Sequence, residues 1–146
     1  MVMLMVNEKN VKQGAKNRKS GAYFELRVKK DMVGKGWIVS KFPNQVEFDE
    51  EGGGKLMSAK HKWRGRGLPM VIGTGFPDFI CWKKCTDWDK LGYYEVIGVE
   101  AKSNGKLSAE EKEKCKWLLE NDVFSKILIA FKGEKRGEIV YDEFII

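Results

Sequence analysis

Histidine occurs once in this 146-residue chain, as His61. A lone imidazole in a basic stretch leaves no Ser-His-Asp or Cys-His arrangement to carry nucleophilic catalysis. Cysteine is scarce as well: Cys81, Cys85 and Cys115 make an odd count with no repeating spacing. That argues against a disulfide-stapled secreted domain. The spacing also fits no common zinc finger, so the three are read as free, buried thiols. No apolar run approaches the 18 or so residues of a membrane-spanning helix. The apolar opening Met1–Val6 is too short for a signal-peptide core, and no small-residue cleavage site follows. A cytoplasmic protein with no membrane partner is expected.

What is present fits one domain with a core. Hydrophobic residues are 42% and charged residues 33%, so the chain can bury a core and is no disordered tail. The net charge is +6, and it is unevenly placed. Residues 1–35 hold nine Lys and Arg against three acids, whereas residues 36–146 hold eighteen of each. The basic character belongs to the N-terminus and points to a polyanion there.

Residues 1–19 read as a loose basic arm, and residues 20–146 as a single domain. Ser20 is placed to cap a first helix whose apolar side carries Tyr23, Phe24, Leu26, Val28 and Met32, with Gly34 and Gly36 ending it. Trp37–Phe42 reads as a strand stopped by Pro43, and Gln45–Phe48 as its continuation or partner. The acids of Glu47–Glu51 and Gly52-Gly53-Gly54 read as a flexible break, opening a long basic loop over residues 47–75. Phe76–Trp82 and Tyr93–Lys102 are the next strands. Ser108 with Glu111 three residues on makes a capping box for a helix reaching about Asn121. Lys126–Phe131 reads as a buried strand and Glu138–Ile146 as a last one. A helix between strands predicts an α/β fold, a central mixed β-sheet flanked by helices.

Chemistry concentrates where two of these strands meet. Asp78 opens one, and Glu100-Ala101-Lys102 closes the next. Residues two apart on a strand share a face, so Glu100 and Lys102 point the same way, and Asp78 meets Glu100 if the strands pair. Two converging carboxylates suit a hard cation, Mg²⁺ or Mn²⁺. An ammonium beside that cation can orient a water and offset charge building on a phosphate. These are the parts needed for metal-assisted phosphodiester hydrolysis. The plainer alternative is an ion pair joining Lys102 to Glu100 or Asp78.

Gly75-Phe76-Pro77-Asp78-Phe79, then Val99-Glu100-Ala101-Lys102-Ser103, then Leu107-Ser108 opening a helix resemble the PD-(D/E)xK nuclease superfamily. Within it the chain is most similar to the archaeal Holliday-junction resolvases and the virus-type replication-repair nucleases. Gly21-Ala22-Tyr23-Phe24-Glu25-Leu26 followed by Gly36-Trp37-Ile38-Val39 resembles their first helix and the strand after it. The resemblance covers about residues 20–131. It implies a restriction-endonuclease-like fold, Mg²⁺-dependent cleavage of DNA with Mn²⁺ able to substitute, and a homodimer acting in recombination or repair on branched DNA. Carried over, Asp78 and Glu100 are metal ligands with the carbonyl of Ala101 as a third, Lys102 positions the attacking water, and Glu25 matches the first-helix acid. Many relatives carry Gln where Glu111 stands here, so Lys112 or Lys114 could face the phosphate instead.

Other residues keep two readings each. Glu25 either serves the metal or is a solvated acid paired with Lys29. Lys60, Lys62, Arg64 and Arg66, with Trp63 stacking on a base, read as a DNA grip or as a solvated loop. Lys16, Arg18 and Lys19 read likewise. Gly73-Thr74-Gly75 lacks the spacing of a phosphate loop and reads as a place where backbone approaches the scissile strand. The alternatives to a junction nuclease are a nicking or restriction-like enzyme on linear or flapped DNA, an RNA-directed nuclease, and a non-catalytic DNA-binding module that keeps the fold.

Overall fold

The computed structural model describes residues 2–68, 71–72 and 75–146. Its centre is a five-stranded mixed sheet built from β1 (Ile38–Lys41), β6 (Phe79–Lys84), β7 (Tyr94–Ala101), β8 (Lys126–Lys132) and β9 (Ile139–Glu143), in that spatial order. β1, β6 and β7 pair antiparallel, β7 and β8 parallel, and β8 and β9 antiparallel. The parallel pair requires a crossover, and α2 (Ala109–Glu120) supplies it. Two short ladders lie outside the sheet: β2 (Asn44–Phe48) with β3 (Gly54–Ser58), and β4 (His61–Lys62) with β5 (Val71–Ile72).

Strand alternation divides the core in two. Phe79, Cys81, Ile97, Val99 and Ala130 point to one face, where α1 (Val2–Gly34) lays down Phe24, Val28 and Met32. Those three helix residues are four apart, one above another on a single stripe. Ile127 and Ile129 point to the other face and pack with Cys115 and Leu118 of α2, together with Phe42, Val46, Phe76 and Phe124. Each fully buried side chain of this size stabilises the fold by about 1.5–3 kcal/mol before entropy is counted. Phe124 and Pro77 close over Gly98, where any Cβ would lie 2.8 Å from the proline ring. Among the described residues no helix is long and apolar enough to cross a membrane.

Three expectations need correction. The loose arm over residues 1–19 is helical from Val2 onward, and α1 runs through Ser20 rather than being capped by it. The break at residues 49–53 is a tight turn in which Asp49 accepts from the backbone N–H groups of Glu51 and Gly53. The supposed long loop over residues 47–75 contains β3, β4 and β5. These ladders draw on partners the local pattern does not reveal. Gly54, for instance, lies flat under the Trp117 indole of α2, where a Cβ would overlap the ring. Gly73 and Thr74 lie outside the described residues. Gly75 makes its close approach to the chain's own backbone at Phe42 and Asn44, which explains that glycine without a scissile strand.

Candidate active site

Phe79 pairs with Val99 across β6 and β7, and one step further along that register sets Asp78 opposite Glu100. Phe79 and Val99 enter the core under α1, so Asp78 and Glu100 take the opposite face, toward α2. The two acids are interlocked. The Asp78 N–H donates to Glu100 Oε2 at 3.0 Å, and the Ala101 N–H donates to Asp78 Oδ2 at 2.9 Å. The Asp78 carbonyl in turn accepts from the Phe42 N–H at 3.1 Å. Each carboxylate is thus held by the strand that carries the other. Glu100 is 5% exposed, the one charged residue fully in the interior among the described residues.

Lys102 follows on the same face, and α2 fixes it. Ser108 Oγ accepts from the Glu111 N–H at 3.2 Å, and Glu111 Oε2 accepts from the Ser108 N–H at 2.8 Å, closing the capping box. The remaining oxygen, Glu111 Oε1, takes the Lys102 ammonium at 2.5 Å. Glu100 Oε1 stands 3.6 Å from that ammonium. Both the ion pair expected as the plainer reading and the constellation of Asp78, Glu100 and Lys102 are therefore present together. Glu111, the acid of the capping box, is the residue that holds Lys102.

These groups open into a cleft of about 400 Å³, lined also by Glu25, Gln45, Ser108 and Lys114. Glu25 pairs with Lys41 at 2.6 Å rather than with Lys29, and α1 brings it to the cleft. Helix phase separates the two candidate lysines, Lys112 and Lys114. Lys112 is exposed, whereas Lys114, beside the buried Cys115, lines the cleft. Its side chain is 14% exposed, and its ammonium is 2.8 Å from Glu110. Lys41 and Gln45 escaped the sequence reading because both arrive through register. Lys41 pairs with Phe79, next to Asp78, and a single sequence does not reveal that partner.

Burial dominates the electrostatics. It pushes the Asp78 carboxyl up to about 6, with the Glu25 charge adding to the rise and the Ala101 N–H, Lys41 and Lys102 opposing it. Glu100 is pushed up to about 8 by burial first and by the Asp78 charge second, against the pull of Lys102. Lys102 is held above its ordinary value: its contacts with Glu111 and Glu100 outweigh its partial burial. Two acids that resist ionising side by side are what a divalent cation would relieve.

The donor set fits such an ion. A backbone N–H occupies one oxygen of each carboxylate, leaving Asp78 Oδ1 and Glu100 Oε1. Among the described residues no three His, Cys, Asp or Glu side chains converge as a complete ligand set. Mg²⁺ is commonly held by one or two carboxylates, with water and substrate phosphate completing its shell, and a pair of carboxylates falls within that range. The three thiols are free, with Cys81 and Cys115 buried and Cys85 half-buried.

The expected DNA-contact residues lie away from this cleft lining. Lys16, Arg18 and Lys19 are exposed on α1, and Arg64 and Arg66 are exposed beyond β4. Trp63 is 74% exposed, a ring with no core to fill. Lys60 reaches Glu47 at 3.6 Å but remains largely in solvent. The side chain of Lys62 lies outside the described residues. Comparison of this chain with protein-family models, with curated proteins and with solved structures finds no match.

Proposed function

We propose that this chain is a metal-dependent endodeoxyribonuclease of restriction-endonuclease-like fold that cuts branched DNA. The observation that carries the reading is the interlocked Asp78–Glu100 pair with Lys102 beside it, in one open cleft. A structural ion-pair network has little reason to set two buried acids side by side. Their mutual repulsion and desolvation both cost stability. A first helix carrying Glu25, two antiparallel strands presenting the acids and a capped helix leading to a parallel strand also follow the order of the resemblance.

Asp78, Glu100 and the Ala101 carbonyl would hold Mg²⁺ or Mn²⁺, which when bound supplies Lewis-acid polarisation of the phosphate and a more acidic water. Lys102, clamped between Glu111 and Glu100, offers its remaining protons to the attacking water or a phosphate oxygen. Lys114, also on the cleft lining, offers a second cation to the phosphate. Water adds across one P–O bond: its oxygen joins phosphorus and gives up a proton to solvent, while the bridging oxygen leaves and takes up a proton from solvent to become a hydroxyl. Charge accumulating on the phosphate meets ammonium groups already in place, and such preorganised contacts cost no reorganisation during the reaction.

A panel of labelled four-way junctions, flaps, single strands and linear duplexes, each with Mg²⁺, Mn²⁺ or EDTA, tests the reading. Cleavage of branched substrates that EDTA abolishes is the expected result. Equal cutting of linear duplex moves the substrate to the restriction-like alternative. Binding without cleavage in either metal leaves a DNA-binding module.

A further inference from the structure

From Glu8 to Tyr23 no residue of α1 is buried, and Phe24 is the first residue after them to enter the core. The direction in which this segment extends follows from its contacts. Glu25 meets Lys41 beside the cleft, whereas the C-terminal end of α1 leads into the opposite end of β1. The segment before Glu25 therefore projects past the cleft end of the sheet. At 1.5 Å per residue, Lys9 stands roughly 24 Å beyond Glu25 along the axis.

The lysines on this projection share one side. Lys9, Lys12, Lys16 and Lys19 are spaced three, four and three apart, which confines them to an arc of about 80° at 3.6 residues per turn. Tyr23, 66% exposed, continues the stripe. Phe24, Val28 and Met32 occupy the side turned to the sheet, and Glu25 the side turned to the cleft, so the stripe faces away from both. None of the four lysines forms an ion pair with a described residue. Like charges three and four apart oppose an unsupported helix, and Gly14, Ser20 and Gly21 weaken it further. The same stripe repels a second copy laid against it. Membrane binding needs an apolar face opposite the charges. Over residues 8–20 that face carries Asn10, Gly14, Asn17 and Arg18, with Val11 at its edge as the single large apolar side chain.

We propose that the Lys9–Lys12–Lys16–Lys19 stripe of α1 is a second DNA-binding site, a rail that lies along the phosphates of a duplex segment other than the strand in the cleft. Duplex DNA presents about one charge per 1.7 Å of axis, a dense match for lysines on one edge, and neutralising them favours the helix. The proposal rests on the nuclease reading in taking DNA as the polyanion.

The test titrates the full chain against a labelled duplex of roughly 30 base pairs in EDTA, at several salt concentrations, so that cleavage plays no part. One variant replaces the four stripe lysines with Gln. The other carries Lys84→Glu and Lys90→Glu, both exposed at the end of the sheet away from the cleft. Four neutralised lysines, or two reversed ones, both take the net charge from +6 to +2. Lys→Gln is expected to make the log K against log salt slope shallower by about 3 to 4, at roughly 0.9 per neutralised phosphate, and the other variant by much less. Wild type is also expected to gain helical circular dichroism on adding DNA, and the Gln variant to gain none. Equal losses in the two variants overturn the rail, since net charge alone would then explain the binding. Stripe-dependent binding to phosphatidylserine vesicles with unchanged DNA binding overturns it in favour of a membrane surface. Either failure leaves the cleft reading untouched, and loss of cleavage activity leaves the rail untouched.

Discussion

Glu111 serves two neighbours with two oxygens, the α2 N-terminus through Oε2 and Lys102 through Oε1. Lys102 is consequently positioned before any substrate arrives. Lys102→Ala is expected to lower the single-turnover cleavage rate by about 10²-fold or more, as for removal of one preorganised charge, with DNA affinity changed far less. Rapid-quench kinetics beside equilibrium binding checks this; a normal rate with weakened binding would make Lys102 an ordinary phosphate ligand. The two buried acids give a pH dependence. With folded values near 6 for Asp78 and 8 for Glu100, the folded chain keeps protons that the unfolded chain releases near 4. Stability of the metal-free protein is therefore expected to fall as pH rises from about 4 to about 8. Asp78→Asn with Glu100→Gln should flatten that fall, as thermal melts across the range would show. Mn²⁺ competes with the same protons, so the stabilisation it confers should grow from about pH 6 to about pH 8 and vanish in the double variant.

At the level of elements, the capping box both starts α2 and sets the wall of the cleft. Ser108→Ala is expected to cost about 1 kcal/mol in chemical denaturation; an unchanged midpoint would mean that Glu111 alone suffices to start the helix. This element was legible in the sequence, as were β6, β7 and β8, because each is a continuous apolar run or a capped start bounded by turn residues. The convergence of Asp78, Glu100 and Lys102 was legible for the same reason, since it follows from strand alternation and one pairing. The start of α1 was not, since residues 7–19 carry no apolar stripe and include Gly14, and their helix continues into a packed segment at Phe24–Met32. Of the β2–β3 ladder only the strand at Gln45–Phe48 was legible; its partner β3 was not, since Gly54 packs under Trp117, more than sixty residues away in the chain. The exposed segment after β3 keeps a prediction of its own. Reversing Lys60, Lys62, Arg64 and Arg66 should flatten the salt dependence of DNA binding by about 0.9 for each phosphate that is no longer neutralised, and an unchanged slope would make it a solvated surface.

For the whole molecule, the sheet is a platform with the cleft at one end, α1 beneath it projecting outward, and α2 above. One copy offers a single cleft, and cutting a two-fold symmetric junction on opposed strands needs two. A homodimer making paired nicks near the branch is expected, to be checked by sedimentation and by gel analysis of synthetic junctions; a monomer leaving unpaired nicks would remove the junction reading alone. The central claim is that Asp78 and Glu100 together hold the cation that cuts DNA. The measurement that reaches it most directly is cleavage of supercoiled plasmid in Mg²⁺ by wild type, Asp78→Ala and Glu100→Ala, with DNA binding measured in parallel on the same preparations. Wild type is expected to nick the plasmid, and both variants to bind DNA at near wild-type affinity without cutting. Either variant cutting at the wild-type rate would contradict the assignment.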